Sequence, residues 1–168
     1  RDGSIIGSAV TNLDIHDIAR TARTYGIGTF YIVTPYQDQQ NLVREIIGHW
    51  QTGHGSTYNP ARKEAFELVE LASSFEAMTE LAAEKRRRKP TLVTTSANVQ
   101  ERTLSYESSK TRIEEGEATV LVFGTACGLA PELTLQAEYS LPPLGGVTQY
   151  NHLSVRAAVA ITCDRLLG

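Results

Sequence analysis

The sequence predicts an α/β fold in which a mainly parallel sheet is flanked by helices on both faces. Three short runs are rich in β-branched residues and nearly continuous in apolar character, as in strands buried on both faces: Phe30–Thr34, Thr91–Thr95 and Thr119–Phe123. Segments with a helical spacing of apolar residues separate these runs. Regular alternation of strands and helices favours parallel strands, because each helix carries the chain back to the edge where the next strand begins.

The remaining elements follow from local patterns. A further short strand is predicted at Tyr139–Leu141. Two helices are predicted to be capped by Asp14 and Asp38, whose carboxylates can accept hydrogen bonds from the free amides of a first turn. Three more helices are expected at Phe75–Arg87, Tyr106–Glu115 and Asn151–Leu167. The stretch Phe66–Leu71 fits a helix or a short strand, and the strand is favoured, whereas residues 53–56 and 142–146 are predicted loops.

Composition excludes several classes of protein. The chain has 168 residues, of which 41% are hydrophobic, and 16 Lys and Arg against 19 Asp and Glu give a net charge of −3. These values exclude disorder, and no apolar run is long enough to cross a membrane. Cys127 and Cys163 form no CxxC pair, and the four histidines have no ligand spacing, so we expect neither a disulfide scaffold nor a metal. We expect a single domain over residues 1–168 in a reducing, cytoplasmic setting, and the bare start at Arg1 indicates that N-terminal residues are missing.

Unusual sequence follows three of the predicted strands. Ser96-Ala97-Asn98 follows one, Gly124–Glu132 follows the next, and Pro142–Gly146 leads from the last into Tyr150–Val155. Ligands of parallel sheets bind outside the carboxyl ends of the strands, and glycines there let the backbone approach a ligand closely. Such loops suit a flat heterocycle better than a triphosphate, because neither GxxxxGK[ST] nor GxGxxG occurs. For any one loop the simpler interpretation is a turn, but three together favour a site.

These residues resemble a known family. The C-terminal third, with Gly124–Glu132, Leu141–Gly146 and Tyr150–Ile161, resembles the SPOUT superfamily of S-adenosylmethionine-dependent RNA methyltransferases, and is most similar to a small bacterial group of predicted RNA methyltransferases. The segment Asp14–Ala22, followed by Tyr25-Gly26, is similar to the first motif of the SpoU branch. The resemblance extends from about Thr11 to the end of the chain.

The resemblance implies a deep trefoil knot near the C-terminus, S-adenosylmethionine bent within the knot loops, and a homodimer. It implies methylation of RNA, with a ribose 2′-hydroxyl of tRNA as the expected acceptor. Three departures from the family pattern bear on the site. Asp14 stands where the family has Asn, the segment Gly124–Gly128 lacks a Glu and is one residue shorter, and His152 replaces an Asn.

The resemblance assigns roles to particular residues. The catalytic candidates are Arg20, contributed by the other subunit of the dimer, with Ser154 and Asp14. The expected cofactor contacts are Thr95, Ser96, Ala97, Phe123, Gly124, Thr125, Gly128, Leu129, Leu141, Pro143, Leu144, Gly145, Tyr150, Asn151, His152, Leu153 and Val155. The expected RNA contacts are Arg20, Arg23, Lys85, Arg86, Arg87 and Arg88.

Each role has a simpler alternative. Arg20 fits a solvated helix arginine, Ser154 or Asn151 fits a helix N-cap, and the basic run 85–89 fits a solvated helix end. Three other functions also remain open. They are methylation of a base (guanine N1), with Asp14 or Glu132 as general base, a non-catalytic module that binds the cofactor or RNA, and a hydrolase using Cys127 and His152.

Overall fold

The computed structural model describes residues 7, 9–125 and 128–168. These form two compact units, Arg1–Met78 and Thr79–Gly168. All strand pairs in both units are parallel among the described residues. The predicted α/β class with parallel strands is therefore confirmed.

The first unit is built on a two-stranded parallel sheet. Strand β1 is Phe30–Val33 and strand β2 is Val69–Ala72, paired from Phe30 with Val69 to Val33 with Ala72. The helices of this unit are α1 (Asn12–Thr24), α2 (Gln37–Gln51), α3 (His54–Tyr58) and α4 (Pro60–Phe66). The next helix, α5 (Phe75–Arg86), spans the boundary between the units.

The core of the first unit forms between its helices and β1 and β2. The apolar face of α1 supplies Ile15, Ala19 and Ala22, which pack with Val43 and with Phe66, a side chain that has no exposed surface. The face that the sequence marks as apolar on α1 is thus the face that is buried. Removal of this surface from water stabilises the unit.

The second unit contains a three-stranded parallel sheet. Its strands are β3 (Thr91–Thr94), β4 (Thr119–Val122) and β5 (Tyr139–Ser140), in the order β4-β3-β5. Its other helices are α6 (Tyr106–Glu114), α7 (Pro131–Gln136) and α8 (Val155–Leu167). Val93, Leu141 and Leu166 form a buried cluster, so α8 is held to the central strand and to the chain just after β5.

The predicted helix caps at Asp14 and Asp38 are wrong. Helix α1 begins earlier, and the hydroxyl of Thr11 caps it by accepting from the Asp14 amide at 3.2 Å while donating to Asp14 Oδ2 at 2.5 Å. Helix α2 follows Tyr36 without a side-chain cap. Its first turn is instead fixed by the buried side chain of Gln40, whose Nε2 donates to the Thr34 carbonyl at 3.0 Å.

Other boundaries differ where short elements are closely spaced. Residues 53–56, predicted as a loop, include the start of α3, and α4 follows at once because Asn59 caps it by accepting from the Arg62 amide at 3.0 Å. The ambiguous stretch 66–71 contains the end of α4 and the start of β2. Helix α8 begins at Val155, because Ser154 rather than Asn151 is its N-cap.

One titratable side chain of α1 lies against an aromatic cluster. The ring centroid of His16 lies 5.3 Å from that of Trp50 and 4.8 Å from that of Phe66. Burial, and then the positive charge of Arg62, lower the pKa of His16 from its ordinary value of 6.5, and the charge of Asp17 opposes this shift. The described residues offer no hydrogen-bond partner to its buried Nδ1.

The lowered pKa of His16 predicts how stability depends on pH. The unfolded chain binds this proton at a higher pH than the folded chain, so protonation favours unfolding. We expect the free energy of unfolding to be highest above pH 6.5 and to decline as the pH falls below that value. Urea unfolding at several pH values measures this decline, which His16→Gln should reduce and His54→Gln, at an exposed histidine, should retain. An equal decline in His16→Gln and the unaltered chain would contradict the assignment.

Candidate functional site

The carboxyl ends of all three strands of the second unit meet at one edge of the sheet. Thr94 pairs with Val122 of β4 on one side and with Ser140 of β5 on the other. The hydrogen bonds continue past the strand ends, because the Thr95 amide donates to the Val122 carbonyl at 3.0 Å and the Leu141 amide to the Thr94 carbonyl at 2.9 Å. The three loops that the sequence singled out therefore leave the sheet side by side.

Ser140 holds the last strand between two segments of the chain. Its hydroxyl donates to the Thr94 carbonyl at 3.2 Å, which fixes β5 on β3. On its other side, the Ser140 amide donates to the Arg102 carbonyl at 2.8 Å, and its carbonyl accepts from the Leu104 amide at 2.9 Å. Residues 102–104 thus lie along the outer edge of β5, which leaves Ser140 only 3% exposed.

A side-chain hydrogen bond joins the loop after β3 to the segment before α8. The Asn151 Nδ2 atom donates to the Ala97 carbonyl at 2.9 Å. The loop after β3 is also braced internally, since Ser96 Oγ accepts from the Asn98 amide at 3.0 Å and from Gln100 Nε2 at 3.2 Å. The predicted site residues Ser96, Ala97 and Asn151 are therefore neighbours, and Asn151 has a structural bond of its own.

The glycines of the loop after β4 shape a tight turn. Gly128 has a φ of +92°, a left-handed conformation that favours glycine, and its amide donates to the Thr125 carbonyl at 2.9 Å. A Cβ added to Gly124 would lie 2.6 Å from the carbonyl carbon of Gly128. Both glycines are required by the turn itself. Ala126 and Cys127 lie outside the described residues, so the predicted role of Cys127 as a nucleophile is untested.

The glycines of the loop after β5 are different. A Cβ added to Gly145 or Gly146 would meet no atom within 4 Å, and neither residue has a left-handed φ. Within the described ranges, the peptide groups of Leu144, Gly145 and Gly146 also make no hydrogen bond. Neither packing nor backbone conformation therefore requires these two glycines. They leave unpaired amides and carbonyls on an open face that a ligand can approach.

The segment before α8 is exposed. Tyr150 is 75% exposed, and its ring lies edge-on to that of His152 at 5.5 Å between centroids. Ser154 is the N-cap of α8, where its hydroxyl accepts from the Ala157 amide at 3.4 Å. Leu141, by contrast, is 1% exposed and packs in the core, so only its backbone is available to a ligand.

The electrostatics of these loops are close to neutral. The expected cofactor contacts include no Asp, Glu, Lys or Arg, and His152 is the one histidine among them. Cys163 of α8 lies nearby in sequence, but burial raises the pKa of its thiol to about 11, so it is protonated and a poor nucleophile at neutral pH. Peptide groups and apolar side chains with little charge suit a neutral heterocycle bound by backbone hydrogen bonds.

The remaining catalytic candidates lie in the first unit. Arg20 is on the exposed face of α1. Asp14 lies in the first turn of the same helix, where its carboxylate accepts from the Thr11 hydroxyl. Arg23, expected to contact RNA, forms an ion pair with Glu64 that leaves both side chains about half exposed.

The basic run closes the end of α5. Arg86 is the last helical residue, and Arg87 then adopts a left-handed φ of +53°. A guanidinium nitrogen of Arg88 donates to the Gly116 carbonyl, and Lys89 Nζ lies 3.8 Å from Glu138 Oε1. All residues of the run are exposed, so part of it anchors the helix end and all of it is solvated.

The sequence predicted part of this site. It singled out the loop Pro142–Gly146, and Gly146 has the same open surroundings as Gly145. The segment 102–104 was not expected beside β5, because a single parallel bridge has no strand pattern of its own.

Among the described residues, no group of three or more His, Cys, Asp or Glu is placed to hold a metal. No helix in that part of the chain has both the length and the apolar character needed to cross a bilayer.

Comparison with known proteins identifies the family. All 168 residues match a family model described as SAM-dependent RNA methyltransferase. An uncharacterized protein of Aquifex aeolicus (strain VF5) is 40% identical over 169 residues, covering 100% of this chain and 82% of that protein. A tRNA (guanine-N(1)-)-methyltransferase of Nitratidesulfovibrio vulgaris is 44% identical over 161 residues, which are 96% of this chain but only 37% of that protein. The chain therefore spans less than half of the tRNA methyltransferase that it matches.

Solved structures share the fold. A probable methylase family protein from Haemophilus influenzae Rd KW20 has a TM-score of 0.63 at 18% identity, covering 95% of this chain and 61% of that one. The TrmH/SpoU tRNA modifying enzyme of A. aeolicus has a TM-score of 0.60 at 17% identity, covering 95% of this chain and 70% of that one. Because the family model spans every residue and the fold is that of the SpoU methyltransferases, the chain belongs to the family of S-adenosylmethionine-dependent RNA methyltransferases.

Proposed function

We propose that this protein transfers a methyl group from S-adenosylmethionine to a ribose 2′-hydroxyl of tRNA. The observation that carries the proposal is the open Gly145-Gly146 pair, which lies at the edge where three strands end together. The backbone of this pair neither packs against other residues nor forms hydrogen bonds with the described residues. It is therefore suited to contact a bound nucleoside.

The residues at this edge fit the cofactor. Backbone groups of Leu144–Gly146 and of the loops 95–97 and 123–125 would hold the adenosine portion through hydrogen bonds. Tyr150, which is 75% exposed, would cover its ring. The near absence of charge among these residues suits the uncharged adenosine portion of the cofactor. When bound, the cofactor supplies a methyl group already activated by its sulfonium.

The protein then has to align the acceptor and stabilise its charge. A ribose hydroxyl is a weak nucleophile. Negative charge develops on its oxygen as its proton passes to water and the O–C bond forms, while the S–C bond of the sulfonium breaks. The guanidinium of Arg20, on the exposed face of α1, would stabilise that charge. Alignment of the oxygen with the methyl group for in-line displacement supplies the rest of the acceleration, without a metal.

The path of the chain around β5 supports a trefoil knot. Thr94 and Thr103 pair with the same residue, Ser140, from opposite edges of β5. The chain between them therefore passes from one edge of that strand to the other. Asn151, farther along the chain that leaves β5, is bonded to Ala97 within this crossing loop. A hydrogen bond of this kind is expected in a fold whose C-terminal segment passes through the loop that connects β3 to residues 102–104.

A homodimer would bring Arg20 of one subunit to the pocket of the other. Exposed apolar side chains support an interface in the segment before α8, where Val147 is fully exposed, Tyr150 is 75% exposed and Leu153 is 48% exposed. An interface would remove this apolar surface from water. A cytoplasmic location follows from a tRNA substrate.

Methylation of a base is the second candidate. It is favoured by the relatives named tRNA (guanine-N(1)-)-methyltransferase, 44% and 39% identical, although the chain covers only 37% and 39% of them. A base acceptor would require a general base, and Glu132 in the exposed first turn of α7 is available, whereas Asp14 is bonded to Thr11.

The two kinds of glycine predict opposite effects. Gly145→Ala should leave the free energy of unfolding unchanged, because its Cβ meets no atom, and should weaken cofactor binding about tenfold or more. Gly124→Ala is the contrasting variant and should destabilise the fold by about 1–3 kcal/mol, because its Cβ would clash with Gly128. Calorimetric titration with S-adenosylmethionine and urea unfolding measure the two effects. Wild-type affinity in Gly145→Ala would exclude that loop from the site.

The role of Arg20 is tested by the rate of methyl transfer. Arg20→Ala should lower single-turnover transfer to tRNA about 100-fold, while the affinity for S-adenosylmethionine stays unchanged. Arg44→Ala is the matched control, because this exposed arginine of α2 bonds, among the described residues, to Asn41 and Gln40 of its own helix. If the rate of Arg20→Ala stays within threefold of that of the control, the assigned role is wrong.

The position of the methyl group separates the two candidate reactions. Nucleosides from tRNA treated with the protein and cofactor should contain a 2′-O-methylated nucleoside in mass spectrometry, with the added mass on the ribose fragment. Mass added to the base fragment would replace the ribose proposal with the base proposal. No added mass, with the cofactor bound, would identify a non-catalytic module.

A further inference from the structure

The first unit contains a cluster of cationic and aromatic side chains that the proposed reaction does not use. His16 of α1, His49 and Trp50 of α2, and Arg62 of α4 form this cationic–aromatic cluster. The Arg62 guanidinium carbon lies 4.8 Å from the centroid of the Trp50 ring, and the rings of His49 and Trp50 are edge-on at 4.9 Å. Trp50 also lies 6.0 Å from Phe66, which is fully buried, so the cluster rests on the core.

Apolar packing explains the rings of the cluster but not its charges. Burial is the main cause of the lowered pKa of His16, the nearby charges of Arg62 and Arg20 lower it further, and Asp17 acts in the opposite direction. Among the described residues Arg62 has no carboxylate partner. The guanidinium groups of Arg62 and Arg20 therefore both act on the same histidine in a chain whose net charge is −3. An anionic ligand would offset their mutual repulsion.

The cluster also holds Arg62 in place before any ligand arrives. Stacking on an aromatic face restricts the guanidinium, so less conformational entropy is lost when it binds an anion. The α2–α3 turn is tight around the same rings. A Cβ on Gly55 would lie 2.7 Å from Trp50 Cε3 and 2.8 Å from His49 Nε2. A guanidinium positioned in this way can bind an anion without first being ordered.

Arg20 connects the cluster to the reaction. Arg20 follows His16 by four residues on α1, so the two side chains lie on the same face of that helix. In the proposed reaction, Arg20 lies beside the acceptor ribose. The phosphates that flank this ribose are the nearest anions of the substrate to Arg20.

We propose that the cationic–aromatic cluster binds the phosphodiester backbone of the substrate RNA next to the methylated nucleotide, with Arg62 as the phosphate contact and Trp50 as the residue that positions it. This inference rests on the proposed tRNA substrate. Guanidinium groups bind phosphate by paired, charge-assisted hydrogen bonds, and each such contact makes RNA affinity fall with salt.

The role of Arg62 is tested by how binding of a fluorescein-labelled, unmodified tRNA transcript depends on salt. Binding is measured by fluorescence anisotropy from 50 to 200 mM KCl, without cofactor. Arg62→Ala should weaken binding about tenfold and reduce the slope of log affinity against log salt by about one. Arg44→Ala also removes one positive charge, and it should change the affinity and the salt slope less than Arg62→Ala does. Equal affinities and slopes for these two variants would overturn the proposal.

Substitutions of Trp50 test the positioning role. Trp50→Tyr keeps an aromatic face and should retain the wild-type salt slope, whereas Trp50→Leu removes the face and should match Arg62→Ala. Trp50 is the only tryptophan of the chain, so its emission should also change when tRNA is added and stay constant with S-adenosylmethionine alone. Equal salt slopes for Trp50→Tyr and Trp50→Leu would overturn the positioning role of Trp50.

Two outcomes separate this inference from the proposed function. Normal tRNA binding and methyl transfer by Arg62→Ala would overturn the phosphate site and leave the methyltransferase proposal in place. Loss of binding in Arg62→Ala, without methyl transfer to tRNA by the unaltered chain, would support the phosphate site and overturn the proposed reaction.

Discussion

The pairing of β5 with β3 is the constraint on which the rest of the candidate site depends. Two residues of β5 pair with β3, yet Ser140 is bonded on both sides, to Thr94 and to the segment 102–104. Because this short strand is fixed on both edges, the loop that follows it starts beside the loops after β3 and β4. The polar groups of Ser140 are buried and satisfied, so the arrangement avoids the free-energy cost of unpaired polar groups in a core.

Glycine serves two physical purposes at this edge. Gly128 has a left-handed φ and Gly124 lies against its backbone, so both are required by the turn after β4. Gly145 and Gly146 meet neither condition, and their surroundings are open. These two glycines lie at the edge where three strands end, and the loop after β5 therefore carries the proposed function.

Positive charge is also used in two ways. The run 85–89 is the conspicuous basic segment of the sequence, but Arg88 and Lys89 have partners within the chain, and the run closes the end of α5. Arg62 is inconspicuous in sequence, yet it stacks on Trp50 beside His16. Among the described residues it has no carboxylate partner. The proposed phosphate site therefore rests on how tertiary packing positions one charge and not on the density of charge along the chain.

The sequence alone determined the parallel α/β class, the positions of β1, β3, β4 and β5, and the family, because these depend on local apolar periodicity and on contiguous motifs. Helix caps were less predictable. Thr11 caps α1 in place of Asp14, and the side chain of Gln40 holds the first turn of α2 without any cap from Asp38. Both hydrogen bonds depend on where neighbouring residues lie in the folded chain. Only the tertiary structure placed residues 102–104 beside β5, distinguished the open glycines from the packed ones, and brought Arg62 onto Trp50. These features join residues distant in the chain or depend on empty space around an atom, and neither property leaves a periodic signal in a sequence.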